Sequence, residues 1–155
     1  MKRLLVLCFI LLWWVVVPLS NNVAHAQRGM GDTEGVVRSQ AVTKQVTGSA
    51  VIEEVVVEEC KQTTGRYPIG VHLLVKDTDD QSLNLHLGPE PVLTDITTRL
   101  QKGMEISFEA FQTEKLPKNF YIVEVLSFGG KDYVLRDESL RPRWAGQKGR
   151  VRWLR

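Results

Sequence analysis

The chain has 155 residues, 25% of them charged and 43% hydrophobic, enough for one domain with a modest core. Its two cysteines, Cys8 and Cys60, show no CxxC or CxxCH spacing, which argues against a disulfide framework, thioredoxin-like chemistry and covalent haem. The formal charge of +2 hides an asymmetry: residues 27 to 138 carry 12 basic and 18 acidic side chains, whereas residues 139 to 155 carry six basic and none acidic.

Residues 1–26 read as a signal peptide. Lys2 and Arg3 precede an uncharged apolar run of 14 residues, Leu4 to Val17, and Ala24-His25-Ala26 offers a cleavage site. Export to the periplasm is the expectation, with a membrane anchor as the alternative if the segment stays uncleaved. The run is short for a span, which needs about 20 apolar residues. After cleavage no stable transmembrane span remains, and Cys60 is the single cysteine left. It can be a buried apolar residue, a thiol for an intermolecular partner, or a ligand.

Residues 27–43 lack periodicity and read as a flexible leader. Val46 to Cys60 is a long strand with Val46, Gly48, Ala50 and Ile52 on one face. Its alternation slips at Glu53-Glu54, which predicts a bulge or bend. Lys61 to Ile69 is a loop. Gly70 to Gly88 is an antiparallel hairpin around a Thr-Asp-Asp turn. Pairing Val75 with Leu83 sets Leu73 against Leu85, Val71 against Leu87, and His72 against His86 on the opposite face. Pro89 to Lys102 carries Val92, Leu93, Ile96 and Leu100 at helical spacing; Thr94 can cap this short helix and Gly103 ends it. Strands follow at Met104 to Phe111 and Phe120 to Val125. Tyr133 to Leu135 pairs back across a Gly129-Gly130 turn.

The expected fold is mainly β: a small five- to six-stranded OB-like barrel over residues 44–146, with one short helix between strands 3 and 4 and a basic tail at 147–155. An open β-sandwich or half-barrel is the alternative.

The segments GVHLLVK, LNLHLGP and YVLRDESLRPRWAG resemble a group of small exported bacterial OB-like proteins, to which the domain of magnetosome proteins S and X is related. The resemblance covers about Val46 to Gly146. It implies an OB-like fold and an accessory role in the envelope. The pattern places an aromatic-containing segment where this chain has Glu90-Pro91-Val92-Leu93, and glycine where it has Leu140.

Three constellations bear on function. If Cys60 pairs near Gly70, Glu58, His72 and His86 form a row across three strands. Two imidazoles and a carboxylate can bind a transition metal; the alternative is an exposed polar face with a Glu–His contact. Arg141, Arg143, Lys148, Arg150, Arg152 and Arg155, interleaved with Trp144 and Trp153, suit an anionic envelope surface or an acidic protein more than nucleic acid. The alternative packs Trp144 on the barrel and leaves the rest solvated or folded back on the acidic body. The acidic pairs are adjacent strand residues on opposite faces and form no catalytic dyad.

With no nucleophile elbow, phosphate loop or zincin motif, the sequence points to a periplasmic, non-enzymatic binding module. The outer face of strands 1–3 would take a small charged ligand or protein partner, with no required cofactor. The alternative is metal handling, of iron or another transition metal, by His72, His86 and Glu58.

Overall fold

A computed structural model describes residues 42–60, 67–114, 116–146 and 151–154. The signal peptide, nearly all of the leader, and Lys148, Arg150 and Arg155 lie outside these residues.

Among the described residues, six strands and one helix run in the order β1 (Val42–Glu59), β2 (Ile69–Asp77), β3 (Ser82–Pro89), α1 (Glu90–Thr97), β4 (Glu105–Thr113), β5 (Phe120–Phe128) and β6 (Lys131–Val134). The sheet order is β3-β2-β1-β4-β5-β6, and β3 also pairs with β5 in parallel, through Asn84–Phe120 to His86–Ile122. Hydrogen bonds therefore close a ring through β1, β2, β3, β5 and β4. This closure excludes the open sandwich and gives the mainly β, single-helix arrangement that the sequence predicts.

Strand β1 is long enough to serve both neighbours because it bends. Its pairing with β2 shifts between Ile52 and Glu54, where the alternation of side chains slips in the sequence. Ala50 and Ile52 point inward ahead of the bulge; Val55 does so partly beyond it, while Val57 is exposed. Gly48 admits the Phe108 ring, which would stand only 3.0 Å from a Cβ at that position.

Most of the core is one large cluster, in which Leu73, Val75, Leu85, Leu87, Leu93 and Ile96 are fully buried. Burial of each such side chain is worth roughly 1.5–3 kcal/mol, set against the entropy of ordering the chain. A smaller cluster of Phe111, Ile122 and Leu140 forms apart from it. Phe111 reaches it by ordinary alternation: Ala110 faces the large cluster and Phe111 the opposite face, where Ile122 and Leu140 pack against it.

Along the helix and the hairpin the structure differs from expectation at three places. The helix stops at Thr97, and Leu100 is buried from the following turn, so its helical spacing is coincidental. Thr94 does not cap; its hydroxyl donates back to the Glu90 carbonyl, while Pro89 holds the N-cap position. In the hairpin, Leu73–Leu85 and Val75–Leu83 pair as predicted, but Val71 opposes Gly88 because Leu87 is the extra residue of a bulge. Both Val71 and Leu87 still reach the core. In the basic tail, residues 151–154 fold back on the sheet: the Val134 amide donates to the Trp153 carbonyl at 2.8 Å, and the Trp153 indole is buried.

Candidate metal centre

Three side chains converge where β1 ends beside the β2–β3 hairpin. His72 and His86 are cross-strand partners, as the alternation requires. Their rings tilt at 55° with centroids 4.7 Å apart, and His72 Nε2 lies 3.2 Å from His86 Nδ1. Cys60 follows the last residue of β1, and its amide donates to the Pro68 carbonyl at 2.8 Å. Its Sγ stands 3.6 Å from His72 Nε2 and 3.9 Å from His86 Nδ1. All three ligand atoms lie within 4.8 Å of one another.

Gly70 makes this approach feasible. A Cβ there would collide with Cys60 Sγ and come within 3.0 Å of His86 Cε1. The hairpin's first glycine is thus space for a sulfur, as well as a feature of the strand end.

Asn84 orients the cluster. It shares a face of β3 with His86, and its Oδ1 lies 2.8 Å from His72 Nδ1. His72 donates from Nδ1 to this oxygen, so the lone pair of Nε2 faces Cys60 and His86. Asn84 and His72 are both buried; Cys60 and His86 are partly so.

The electrostatics suit ligation by neutral imidazole. Burial, then the charge of Arg136, then His72, push the His86 pKa down to about 3, so its ring is neutral at physiological pH. Burial, reinforced by the Glu58 carboxylate, raises the Cys60 thiol above its usual range. A metal ion would have to displace that proton.

Arg136 backs the cluster. It is buried at 4% exposure, and its Nη1 donates to the Leu87 carbonyl at 3.1 Å and to the Val123 carbonyl. Its Nε has no hydrogen-bond partner among the described residues. The Trp144 ring covers the guanidinium at 5.2 Å, and Gly88 leaves room for that indole against β3. Desolvation lowers the Arg136 pKa to about 9, so the side chain is still a cation at neutral pH.

The predicted site residues separate. His72 and His86 come together as expected. Glu58 is exposed and pairs with Gly70, while Val56 faces His72. The core pairs Ile52–Val75 and Val55–Leu73, on either side of the bulge, fix this register, and it brings Cys60 rather than Glu58 to the histidines. In the basic segment, Arg141, Arg143 and Arg152 are exposed, Trp144 packs over Arg136, and Trp153 is part of the core. Asn84 was missed in the sequence; the signal that could have found it is its place two residues before His86 on the same face. Arg136 carried no signal, since the groups it binds lie on β3 and β5.

The donor set fits a metal ion. With nitrogen ligands at about 2.0–2.1 Å and a thiolate at about 2.3 Å, tetrahedral angles put N···N near 3.3 Å and N···S near 3.6 Å. The observed 3.2, 3.6 and 3.9 Å are close to that bite. A shallow groove of about 580 Å³, lined by Ser49, Lys76, Glu105 and Lys131 among others, shares no residue with the cluster. Among the described residues no helix is long and apolar enough to cross a membrane.

No curated protein and no solved structure matches the chain. The sequence pattern of one family does, over residues 42–133, which takes in β1 through Tyr133 of β6 and all three residues of the cluster. On that match, covering more than half of its length, the chain belongs to the MamS/MamX magnetosome protein family.

Proposed function

We propose that the protein is an exported accessory module of the bacterial envelope that binds a transition-metal ion through Cys60, His72 and His86, without catalysis of its own. The observation that carries this reading is the convergence of three ligand atoms within 4.8 Å, one a thiol and two imidazole nitrogens. Thiolate and imidazole together suit zinc, copper and other borderline-to-soft ions. The Asn84 hydrogen bond supports it, because metal-binding histidines are commonly fixed by such a partner on the other nitrogen. Family membership suggests a magnetosome-associated accessory role, and a metal-binding module is consistent with one.

Cobalt(II) titration of the purified chain under reducing conditions tests the proposal. One equivalent is expected to give a thiolate-to-cobalt charge-transfer band, lost in Cys60→Ser and weakened in His72→Ala and His86→Ala. Glu58→Gln is expected to leave the band in place. Absence of both the cobalt(II) band and copper(I) binding in the wild-type chain, or survival of the band in Cys60→Ser, would refute the assignment.

The site leaves the basic segment free for a separate contact. With Trp144 and Trp153 occupied internally, the exposed Arg141, Arg143 and Arg152 support a purely electrostatic association with an anionic envelope surface. Co-sedimentation with anionic vesicles should then fall steeply with salt, and charge-reversal of Arg141 and Arg143 should abolish it. Salt-independent association would contradict that reading.

A further inference from the structure

The structure also bears on which ion the cluster takes, and this inference rests on the metal-binding reading above. We infer that the Cys60–His72–His86 site is built for a univalent soft cation, of the copper(I) or silver(I) class, and that the buried Arg136 guanidinium imposes the preference.

The argument is one of charge. Two neutral imidazoles and one thiolate supply a single negative charge. A univalent ion makes the ligand set neutral, whereas a divalent ion leaves it with one positive charge. Arg136 is buried and its charge acts on His86; it is bound to the carbonyl of the adjoining Leu87 and covered by Trp144. Glu124 interacts with the guanidinium but is only partly buried, and Glu58 near Cys60 is exposed to solvent. A second net positive charge beside a desolvated cation is costly in a medium that screens poorly. The carbonyl bonds and the Trp144 stack hold Arg136 in place, so it cannot swing away when an ion arrives.

Ligand number points the same way. Among the described residues no fourth histidine, cysteine or carboxylate joins the cluster. Structural zinc sites are almost always completed by four protein ligands. Thiolate suits copper(I) and zinc alike, but three protein donors leave a zinc ion to complete its four-coordinate set with water.

The test is a comparison of affinities, by chelator competition under anaerobic reducing conditions, for copper(I), zinc(II) and cobalt(II) in the wild-type chain, Arg136→Met and Arg136→Lys. Removing the charge in Arg136→Met is expected to tighten zinc and cobalt by about tenfold or more while leaving copper(I) within about threefold. Arg136→Lys, which retains the charge, should keep the wild-type ratio of univalent to divalent affinity. An unchanged ratio in Arg136→Met overturns the inference while leaving the metal site standing. If no ion binds, or Cys60→Ser binds as tightly as wild type, the metal reading itself falls. Because Arg136 bridges two strands, Arg136→Met can also fail to fold. X-ray absorption on the copper(I)-loaded wild-type chain then decides: one sulfur and two nitrogen ligands are expected, and a fourth ligand overturns the inference.

Discussion

His72 has two nitrogens, and only one is available, because Nδ1 is committed to Asn84 at 2.8 Å. Replacing Asn84 with alanine should therefore release the ring from its tautomer and orientation. Metal affinity is expected to fall by about 10- to 100-fold, as for other outer-shell partners, with the circular dichroism spectrum unchanged. Chelator competition would check this, and an unaltered affinity would mean that packing alone orients the ring. Leu140 poses a different question at the same scale. Its φ of 61° lies in the left-handed region that favours glycine, yet the side chain is 6% exposed against Phe111 and Ile122. The strained backbone costs about 1–2 kcal/mol, and losing a buried leucine costs about 2–5 kcal/mol, so burial outweighs strain. Leu140→Gly should consequently lower stability, by about 1–3 kcal/mol on these figures, measured by urea denaturation. A gain in stability would show that the small cluster contributes little.

At the scale of elements, the sheet supplies the histidines and the loops supply what surrounds them. Gly70→Ala places a methyl group where Cys60 Sγ sits, and the sulfur can escape only by rotating away from the histidines. The variant should fold and lose the thiolate–cobalt band, which separates the site from the strand that carries it. The segment after β6 is organised by Asp137, whose Oδ1 accepts from the Ser139 amide and hydroxyl and the Arg141 amide. Burial opposes ionisation there, but the Ser139 and Arg141 hydrogen bonds outweigh it and hold the carboxyl below its ordinary range. A depressed carboxylate stabilises the fold at neutral pH. That contribution fades as the pH falls through the ordinary carboxylate range and is gone below the lowered value. Urea midpoints should therefore drop on acidification more in the wild type than in Asp137→Asn; parallel profiles would contradict the assignment. These two elements were not equally readable in sequence. The bulge at Glu53-Glu54 and the His72–His86 pairing were plain because a strand alternates with period two, and any slip exposes the wrong face. The partner of Cys60 was not, since the loop before Gly70 has no alternation to fix where β2 begins. Leu100 misled for a related reason: a buried leucine at helical spacing looks the same whether a helix or a turn delivers it.

At the scale of the molecule, the order of strands and helix was legible, because amphipathic strands separated by turn residues leave few compact arrangements. The burial of Arg136 was not, because it depends on Leu87 and Val123, brought together only when β3 meets β5. That meeting has a consequence for how the chain folds. The ring closes by pairing residues 84–86 with 120–122, a contact between segments far apart in sequence, and such contacts form slowly. The metal ligands all lie between Cys60 and His86, on the end of β1 and one hairpin, and can meet before the ring exists. An ion captured by that local unit would hold β1 against β2 and β3 while the rest of the chain searches. Refolding from urea should then be faster with the preferred ion present than without it, whereas in Cys60→Ser the ion should make no difference. Equal refolding rates with and without the ion in the wild-type chain would show that the site assembles only after the ring has shut.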